Sequence, residues 1–288
     1  MPEGDTLFRT ARTLHRALAG QLVTGFESVL PKLTRVEVDT PVTGRIVESV
    51  RSQGKWLLTH FSGDLILLSH MLMSGSWHIY RPGEPWQRRP IHMRVVLKTE
   101  RIWAVAFNVP VAEFHTADTL RRRDGFRQLG QDVLASQFDP APSIASLRAN
   151  GDLEVGVALL KQSILAGIGN VFKSETCFAC RVNPFRLVSS LTLEELQNLV
   201  HTARKFLLAN VAEKSGDKIV TYTGMRQTTG SMNSEDRLWV YGRTGEPCRQ
   251  CGAAIVSYKQ GMEARTSFWC PQCQPMSGAR PLRSAASR

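Results

Sequence analysis

The sequence predicts an α+β protein of more than one domain, with a β-sandwich first, helices next and a small metal-binding ribbon near the C-terminus. Paired short strands with turn residues follow an N-terminal helix up to about position 115. Helical apolar stripes follow position 150, and four cysteines cluster after position 247. A chain of 288 residues is long enough for at least two domains. Hydrophobic residues make up 42 %, which favours packed cores over disorder.

The N-terminal half opens with a helix and continues in strands. Leu7, Ala11, Leu14 and Leu18 recur at helical spacing, and Gly20 follows where a helix C-terminus is expected. The expected strands cover 44–50, the hairpin 55–61 with 65–71, and the hairpin 93–98 with 102–107. Several short strands separated by turns predict a β-sandwich, and we expect residues 2–117 to form it.

The second half changes to helical periodicity. A basic run at 121–123 lies in a stretch that we expect to be a linker, 118–150. An apolar stripe from Leu153 to Ile164 predicts one helix, Asn170 is the expected N-cap of a second, and Thr192 with Glu195 forms a capping box for a third. The expected units are a helical domain at 151–243 with a mobile loop at 216–236, a ribbon at 244–274, and a disordered tail at 275–288.

The net charge indicates the class of partner, and the lack of long apolar runs indicates the compartment. Lys and Arg number 36 against 25 Asp and Glu, a net charge of +11, which is typical of proteins that meet nucleic acid or another polyanion. The sequence has no apolar run near the roughly 18 residues of a membrane span, and its acidic N-terminus does not resemble a signal peptide. We therefore expect a cytoplasmic protein without a membrane partner, whose cysteines are thiols or metal ligands.

Four cysteines predict one structural zinc ion. Two Cys-x2-Cys pairs, Cys248 with Cys251 and Cys270 with Cys273, are separated by eighteen residues. Four thiolates leave no open coordination position, so we expect a structural rather than a catalytic metal. Arg265 lies in the hairpin of this ribbon, where it either contacts a phosphate or is a solvated surface arginine. A third pair, Cys177 and Cys180, lies on an expected helix with no second pair nearby, which favours two buried thiols.

The N-terminus carries a candidate nucleophile. Met1 is expected to be removed when a small residue such as Pro2 follows, which exposes a secondary amine with a pKa near about 8. Such an amine attacks an aldehyde-like carbon and forms an iminium ion, an electron sink for bond cleavage. Glu3 is adjacent and can act as acid or base, and Lys55 stands at the start of a strand. Taken singly, none of the three residues indicates a function. Many proteins begin Met-Pro, Glu3 fits a charge near a helix, and Lys55 fits a surface cation.

Taken together, four segments resemble the formamidopyrimidine-DNA glycosylase/endonuclease VIII family. They are Pro2-Glu3-Gly4, Gln53-Gly54-Lys55, the stretch 165–172 that reads LAGIGNVF, and the ribbon ending in FWCPQCQ at 268–274. The resemblance covers residues 2 to about 274, in the order of the family. It implies a β-sandwich followed by a helix–two-turns–helix bundle and a zinc β-ribbon.

The resemblance also implies a chemistry and its residues. The Pro2 amine attacks C1′ of a damaged nucleotide, and β,δ-elimination follows from the Schiff base. Glu3 matches the acid/base residue, and Lys55 matches the lysine that contacts phosphate. Asn170 and Arg265 match phosphate contacts of the two-turn motif and the ribbon. Pro2, Glu3 and Lys55 are therefore the expected catalytic residues, and Asn170 and Arg265 are expected DNA contacts.

The family fills the gap left by an extruded base with side chains that follow a strand. Here that place is held by 70–75, so we expect His70 to contact phosphate and Leu72 and Met73 to act as wedges, although Met73 also fits a core position. Gly4 resembles the branch that removes oxidised pyrimidines, such as thymine glycol and 5-hydroxycytosine. Thr6 departs from the usual glutamate, which Asp5 replaces or which is absent, and 223–230 is either a lesion contact or a linker.

We thus expect a bifunctional DNA glycosylase/AP lyase of base-excision repair, working as a monomer on damaged double-stranded DNA in the bacterial nucleoid. Two alternatives stay open. One is the same chemistry on 8-oxoguanine and formamidopyrimidine lesions, and the other is a non-catalytic zinc-ribbon protein that only binds DNA. A further hypothesis is an RNA-binding zinc-ribbon protein, which would show no preference for lesions.

Overall fold

Two four-stranded antiparallel sheets form the first domain of the computed structural model, which describes residues 2–212, 226–229 and 236–276. One sheet has the order β1-β6-β7-β5, and the other has the order β2-β3-β4-β8. The strands are β1 (Gly25–Ser28), β2 (Val47–Gln53), β3 (Trp56–Phe61), β4 (Leu65–His70), β5 (Ser76–Tyr80), β6 (Met93–Lys98), β7 (Trp103–Phe107) and β8 (Val111–His115). The sandwich and both expected hairpins are confirmed.

The core between the sheets explains why this sequence forms a sandwich. Apolar side chains from both sheets share one buried cluster, which also receives the stripe of helix α1 (Gly4–Leu18). Leu7, Ala11, Leu14 and Leu18 are each at most 4 % exposed, so the helical periodicity correctly located a buried face. Helix α1 thereby carries the N-terminus along the sandwich and toward the second domain.

Helix α2 (Pro31–Asp39) was not anticipated. Only Leu33 of this helix is buried, so the segment has no apolar stripe to signal it. Its proline at the first turn suits a helix start, and the Glu37 carboxylate accepts a hydrogen bond from the Val42 backbone amide at 2.7 Å just after its end. The helix is therefore held by local contacts rather than by a hydrophobic face.

The second domain is helical. It contains α4 (Pro140–Ala149), α5 (Val155–Leu160), α6 (Asn170–Ala179) and α7 (Leu193–Val211), and short helix α3 (Ala117–Arg122) precedes it. Strands β9 (Gln131–Asp132) and β10 (Leu165–Ala166) pair in parallel beside the helices. The capping box of Thr192 and Glu195 is present as expected, and α5 is shorter than the stripe from Leu153 to Ile164 predicted. None of the helices in the described part of the chain is long and apolar enough to cross a bilayer.

Much of 118–150, expected as a linker, packs into the second domain. Val133, Ile144 and Leu147 belong to the same buried cluster as the faces of α6 and α7. The two prolines at the start of α4, which suggested a linker, occupy the first turn, where Asp139 caps the helix by accepting from the Ala141 amide at 2.9 Å. A two-proline segment is thus compatible with a helix start as well as with a linker.

The ribbon completes the described chain with β11 (Val256–Gln260) and β12 (Arg265–Trp269), which pair antiparallel as expected. The loop expected at 216–236 falls partly outside the described residues, which include only 226–229 and position 236 of it. Most of the expected disordered tail, 277–288, also lies outside them.

Leu147 tests whether the stretch before position 150 is part of the helical core. Leu147 is fully buried, so Leu147→Ala should lower the free energy of unfolding by about 2–5 kcal/mol through lost burial and a cavity. The exposed neighbour Arg148→Ala should change it by no more than about 0.5 kcal/mol. Denaturant unfolding of both variants checks this, and equal stability of the two would contradict the packing.

Candidate active site and zinc centre

Glu3 lies at the junction of the two domains and is fully buried. Its carboxylate accepts hydrogen bonds from the backbone amides of Gly169, Val171 and Phe172, at 2.9, 2.9 and 3.3 Å. These amides are the free N–H groups at the start of α6, so Glu3 from the first domain caps a helix of the second. Asn170 is consequently the first residue of α6 and not its N-cap, which corrects the expectation from its residue type.

Glycines make this contact possible because the two backbones approach closely. A Cβ atom on Gly169 would lie 2.7 Å from the Glu3 Oε1 atom, inside van der Waals contact. Gly4 donates its backbone amide to the Gly167 carbonyl at 2.8 Å, and a Cβ on Gly4 would lie 3.0 Å from the Gly167 Cα atom. The two-turn segment, residues 165–172, therefore carries Gly167 and Gly169 because it packs closely against the N-terminus. Pro2 is also buried there.

Lys55 projects from the tight turn between β2 and β3. Gly54 has a φ of 57° and Lys55 a negative φ, the sign pattern of a type II′ hairpin turn, which requires glycine at its first position. Burial lowers the pKa of the Lys55 ammonium, and the nearby Glu3 carboxylate opposes that shift. The structure therefore brings Lys55 close enough to interact with the carboxylate of Glu3, the residue that follows Pro2.

Arg226 is a site residue that the sequence did not single out by role. Its guanidinium binds the buried Asp5 carboxylate through two hydrogen bonds of 2.8 and 3.0 Å, and lies 3.9 Å from Glu3 Oε1. These carboxylates raise the pKa of Arg226 against the effect of burial, which is the largest single influence. Asp5 thus supplies a buried carboxylate next to Thr6, where the family pattern has glutamate, and Arg226 balances its charge.

Residues 226–229 are anchored to the helices rather than forming a free linker. The Gln227 backbone amide donates to Asn210 Oδ1 at 2.9 Å, and Asn210 donates back to the Gln227 carbonyl. The Thr228 hydroxyl donates to the fully buried Glu175 carboxylate, which also accepts the backbone amides of 239–241. Arg226 takes its place through the buried acid Asp5, and because that burial is known only from the fold, no local sequence signal identifies Arg226.

The expected wedge loop follows β4 at the sandwich surface. Leu72 and Met73 are 47 % and 60 % exposed. Met73 is therefore a surface residue and does not occupy a core position. Leu72 adopts a φ of 45°, and its backbone amide donates to His70 Nδ1 at 3.0 Å. Burial, with Lys55 and Arg123 nearby, lowers the pKa of His70 to about 4, so at neutral pH the ring offers an Nε2–H donor without a positive charge.

Asn170 contacts the ribbon at the residue that follows Arg265. The Asn170 amide donates to the carbonyl of Thr266, the neighbour of Arg265, at 2.7 Å. Asn170 Oδ1 is buried and makes no hydrogen bond among the described residues. The Arg265 side chain is 41 % exposed, and its Nε atom lies 3.2 Å from Glu263. The hydrogen bond from Asn170 to Thr266 therefore joins the start of α6 to the ribbon strand that carries Arg265.

The four ribbon cysteines form a cluster that fits one zinc ion. All four sulfur atoms lie within 4.8 Å of one another, with Cys248 and Cys273 3.8 Å apart and Cys251 and Cys270 3.4 Å apart. Zn–S bonds of about 2.3 Å in a tetrahedron place sulfurs about 3.8 Å apart, whereas a disulfide needs about 2.05 Å. The amides of Gln250 and Cys273 point at the sulfurs of Cys248 and Cys270 at 3.5 Å, which stabilises thiolates.

Cys177 and Cys180 lie outside this cluster. Cys177 is fully buried in the helical core, and Cys180 is partly buried with its sulfur 3.4 Å from the Thr202 hydroxyl. Burial raises the pKa of Cys177 to about 12 and that of Cys180 to about 11. The sequence predicted two buried thiols here, and protonated, buried thiols are chemically inert.

Comparison with known proteins agrees with this architecture. Three family models match in order: the formamidopyrimidine-DNA glycosylase N-terminal domain at 1–112, its H2TH domain at 129–221, and the zinc finger found in FPG and IleRS at 245–275. The start of the second match at 129 agrees with the packing of Val133 and Leu147 into the helical core. The order of sandwich, helical domain and ribbon is thus the order of the family.

Individual relatives cover almost the whole chain. The chain is 39 % identical to the probable endonuclease 8 2 of Streptomyces coelicolor, over 98 % of this chain and 96 % of the relative. It is 36 % identical to endonuclease 8 2 of Mycobacterium tuberculosis, over 95 % and 100 %. Among solved structures, Lactococcus lactis Fpg bound to AP-site DNA superposes with a TM-score of 0.79 at 22 % identity, over 95 % and 99 %. The chain belongs to the formamidopyrimidine-DNA glycosylase/endonuclease VIII family.

Gly169 tests whether the close contact with Glu3 matters for activity. In Gly169→Ala the new methyl group would displace the Glu3 carboxylate, so we expect cleavage of an abasic duplex to slow by about 100-fold. Gly25→Ala is the matched control, since its Cβ would be 3.4 Å from a flexible lysine side chain. Single-turnover rates compare the two, and a full rate in Gly169→Ala would contradict the role of the contact.

Removal of one zinc ligand tests the structural role of the metal. Cys270→Ser should reduce bound zinc from one equivalent to none, lower the free energy of unfolding by about 4 kcal/mol or more, and weaken binding to duplex DNA. Cys180→Ser, outside the cluster, should keep the zinc. Metal analysis and thermal unfolding measure both, and unchanged unfolding of Cys270→Ser would argue against a structural metal.

Proposed function

We propose that this chain is a bifunctional DNA glycosylase/AP lyase of base-excision repair that uses the Pro2 amine as its nucleophile. Glu3 and Lys55 are the proposed acid/base and phosphate-contacting residues beside it. The proposed DNA contacts are His70, Asn170 and Arg265, with Leu72 and Met73 as the wedge. The non-catalytic alternative leaves unexplained why one junction holds a buried carboxylate, a lysine and the N-terminus together.

The chemistry follows from an amine at C1′. The Pro2 nitrogen bonds to C1′ as the bond from C1′ to the base breaks, and the base leaves with the electron pair and takes up a proton. Glu3 assists opening of the sugar, which gives the iminium ion. A base then removes a C2′ proton, and the C3′–O bond breaks with its electron pair on the 3′ phosphate (β-elimination). Removal of a C4′ proton likewise expels the 5′ phosphate (δ-elimination), and water hydrolyses the iminium ion to release Pro2. Burial of the site replaces solvent by fixed charges and dipoles around these steps.

One observation carries the proposal. Glu3, the residue next to the nucleophile, is held by three backbone amides of the two-turn segment, and this contact fixes the start of the chain at the junction. A chain terminus is ordinarily among the least ordered parts of a protein. Here three amide hydrogen bonds offset the cost of burying the Glu3 carboxylate and hold the N-terminus in place, as a nucleophilic N-terminal amine requires.

We propose oxidised pyrimidines as the substrates. The relatives named endonuclease 8 are 36–39 % identical to this chain, whereas formamidopyrimidine-DNA glycosylase of Streptococcus pyogenes is 31 % identical. Gly4 itself is a weaker indicator, because its contact with Gly167 explains the glycine by packing. The assignment to pyrimidines therefore depends on the relatives and the branch that they represent.

The proposed partner is damaged double-stranded DNA, bound by a monomer. All the site groups described above come from one chain, so a second copy is not needed to complete the site. The net charge of +11 favours a polyanionic partner. Because the relatives are bacterial repair proteins, we place the protein at the chromosome in the bacterial cytoplasm.

Borohydride trapping tests mechanism and lesion range together. The mature protein, with Met1 removed, should form a covalent adduct with duplexes carrying thymine glycol or an abasic site, and much less with 8-oxoguanine. Strong trapping on 8-oxoguanine alone would reverse the substrate assignment. The absence of an adduct on all three would favour the binding protein without catalysis.

The matched control keeps Pro2 in a peptide bond by means of an uncleaved N-terminal extension, whose nitrogen has no nucleophilic lone pair. Its base release and strand cleavage should fall to background while its zinc content and unfolding temperature stay unchanged. Persistent cleavage at the rate of the mature protein would refute the role of Pro2.

A further inference from the structure

A carboxylate of the second domain binds the turn that presents Lys55. The Gly54 backbone amide donates to Asp132 Oδ2 at 2.9 Å, and the other oxygen of Asp132 accepts from the Leu134 amide at 2.9 Å. A Cβ on Gly54 would lie 3.0 Å from the Cβ of Ala166, so the turn also packs directly on β10. The hairpin from the sandwich is thus seated on the helical domain at this point.

The Gly54 amide is available for this contact because of the turn type. Ladder hydrogen bonds between β2 and β3 end at Gln53 and Trp56, and the two turn residues lie outside the ladder. In a type II′ turn the first central residue directs its N–H away from the hairpin. A buried N–H without a partner costs about 1–3 kcal/mol, so the carboxylate of Asp132 satisfies a real requirement.

Asp132 is itself held in place from two sides. It pairs in β9 with Ala166 of β10, one residue before Gly167, whose carbonyl accepts the Gly4 amide at 2.8 Å. Arg204 of α7 donates to the carbonyls of Val133 and Ala135, which fixes the loop after Asp132. A single short strand therefore connects the Lys55 turn with the segment that holds Glu3 and the start of α1.

We propose that Asp132 is a positioning residue for the lyase reaction: it sets the placement of Lys55 relative to Pro2 and Glu3 by binding the Gly54 amide. The proposal rests on the proposed function, since Lys55 has a role only if the junction is the active site. Asp132 touches neither the reacting atoms nor the proposed DNA contacts, so it acts through the turn alone. Displacement of a reacting group by about 1 Å costs up to about 100-fold in rate, which sets the expected scale.

Asp132→Asn separates this role from folding. The amide side chain has one acceptor oxygen, which can serve either Leu134 or Gly54, so the local turn can be kept while the Gly54 contact is lost. Asp139→Asn is the matched control, because Asp139 accepts a backbone amide only at the start of its own helix and asparagine caps equally well. We expect Asp132→Asn to lower the single-turnover rate on an abasic duplex about 10- to 100-fold, with KM nearly unchanged and the unfolding temperature lowered only by the loss of one buried hydrogen bond.

A double-mutant cycle with Lys55→Gln distinguishes positioning of Lys55 from a purely structural role. It compares the loss of rate caused by Asp132→Asn in the wild-type and Lys55→Gln backgrounds. If Asp132 acts through Lys55, Asp132→Asn should cause little further loss in the Lys55→Gln background. Amide hydrogen exchange in the DNA-free protein should show a protected Gly54 N–H that becomes exposed in Asp132→Asn and stays protected in Asp139→Asn.

The outcomes are distinct. Full activity of Asp132→Asn, an equal loss in both backgrounds, or an unprotected Gly54 amide in the wild-type protein would each overturn the positioning role while leaving the proposed function intact. A wild-type protein that neither traps nor cleaves any lesion would contradict the proposed function, and the positioning role with it.

Discussion

The buried carboxylate of Glu3 at the start of α6 is the contact on which the arrangement of the two domains depends. An ionised carboxylate removed from water costs several kcal/mol unless hydrogen bonds replace its hydration, and three backbone amides at a helix N-terminus supply them. The same contact satisfies amides that α6 would otherwise leave unpaired. Because Glu3 follows Pro2 directly, the interaction that joins the domains also fixes the proposed nucleophile.

A second polar network seats the ribbon on the same helix. Lys173 of α6 is fully buried, and its ammonium donates to the Ser267 hydroxyl at 2.7 Å, with burial lowering the pKa of Lys173 to about 8. Ser267 in turn donates to Gln260, whose amide donates to the Pro184 carbonyl at 2.7 Å. The ribbon is therefore held by satisfied polar groups as well as by the metal, so that Arg265 keeps its place beside Asn170.

Periodicity and motif spacing predicted much of this structure and missed the parts that depend on distant partners. The α1 stripe, both hairpins, the capping box at Thr192 and the cysteine cluster all follow from local patterns. Helix α2 gave no signal because only one of its residues is buried. The cap of α6 could not be found locally, since Asn170 looks like an N-cap and the actual partner is Glu3, 166 residues from Gly169.

Arg226 and Asp132 show the same limit at the site. Neither stands in a motif, and each acquires its place through a residue far along the chain, Asp5 and Gly54. A buried acid or a type II′ turn predicts that a partner exists, yet not which residue provides it. Residue types at the site were thus readable from the sequence, whereas the pairings that orient them required the fold.

The fixed N-terminal amine is the group that we propose to react. Lys55 is the competing amine, because burial lowers its pKa and so favours its neutral, nucleophilic form. The most direct measurement is peptide mapping by mass spectrometry of the borohydride-reduced adduct formed with an abasic duplex. We expect the sugar remnant on the nitrogen of Pro2 in the N-terminal peptide. A remnant on Lys55, or on any other lysine, would contradict it.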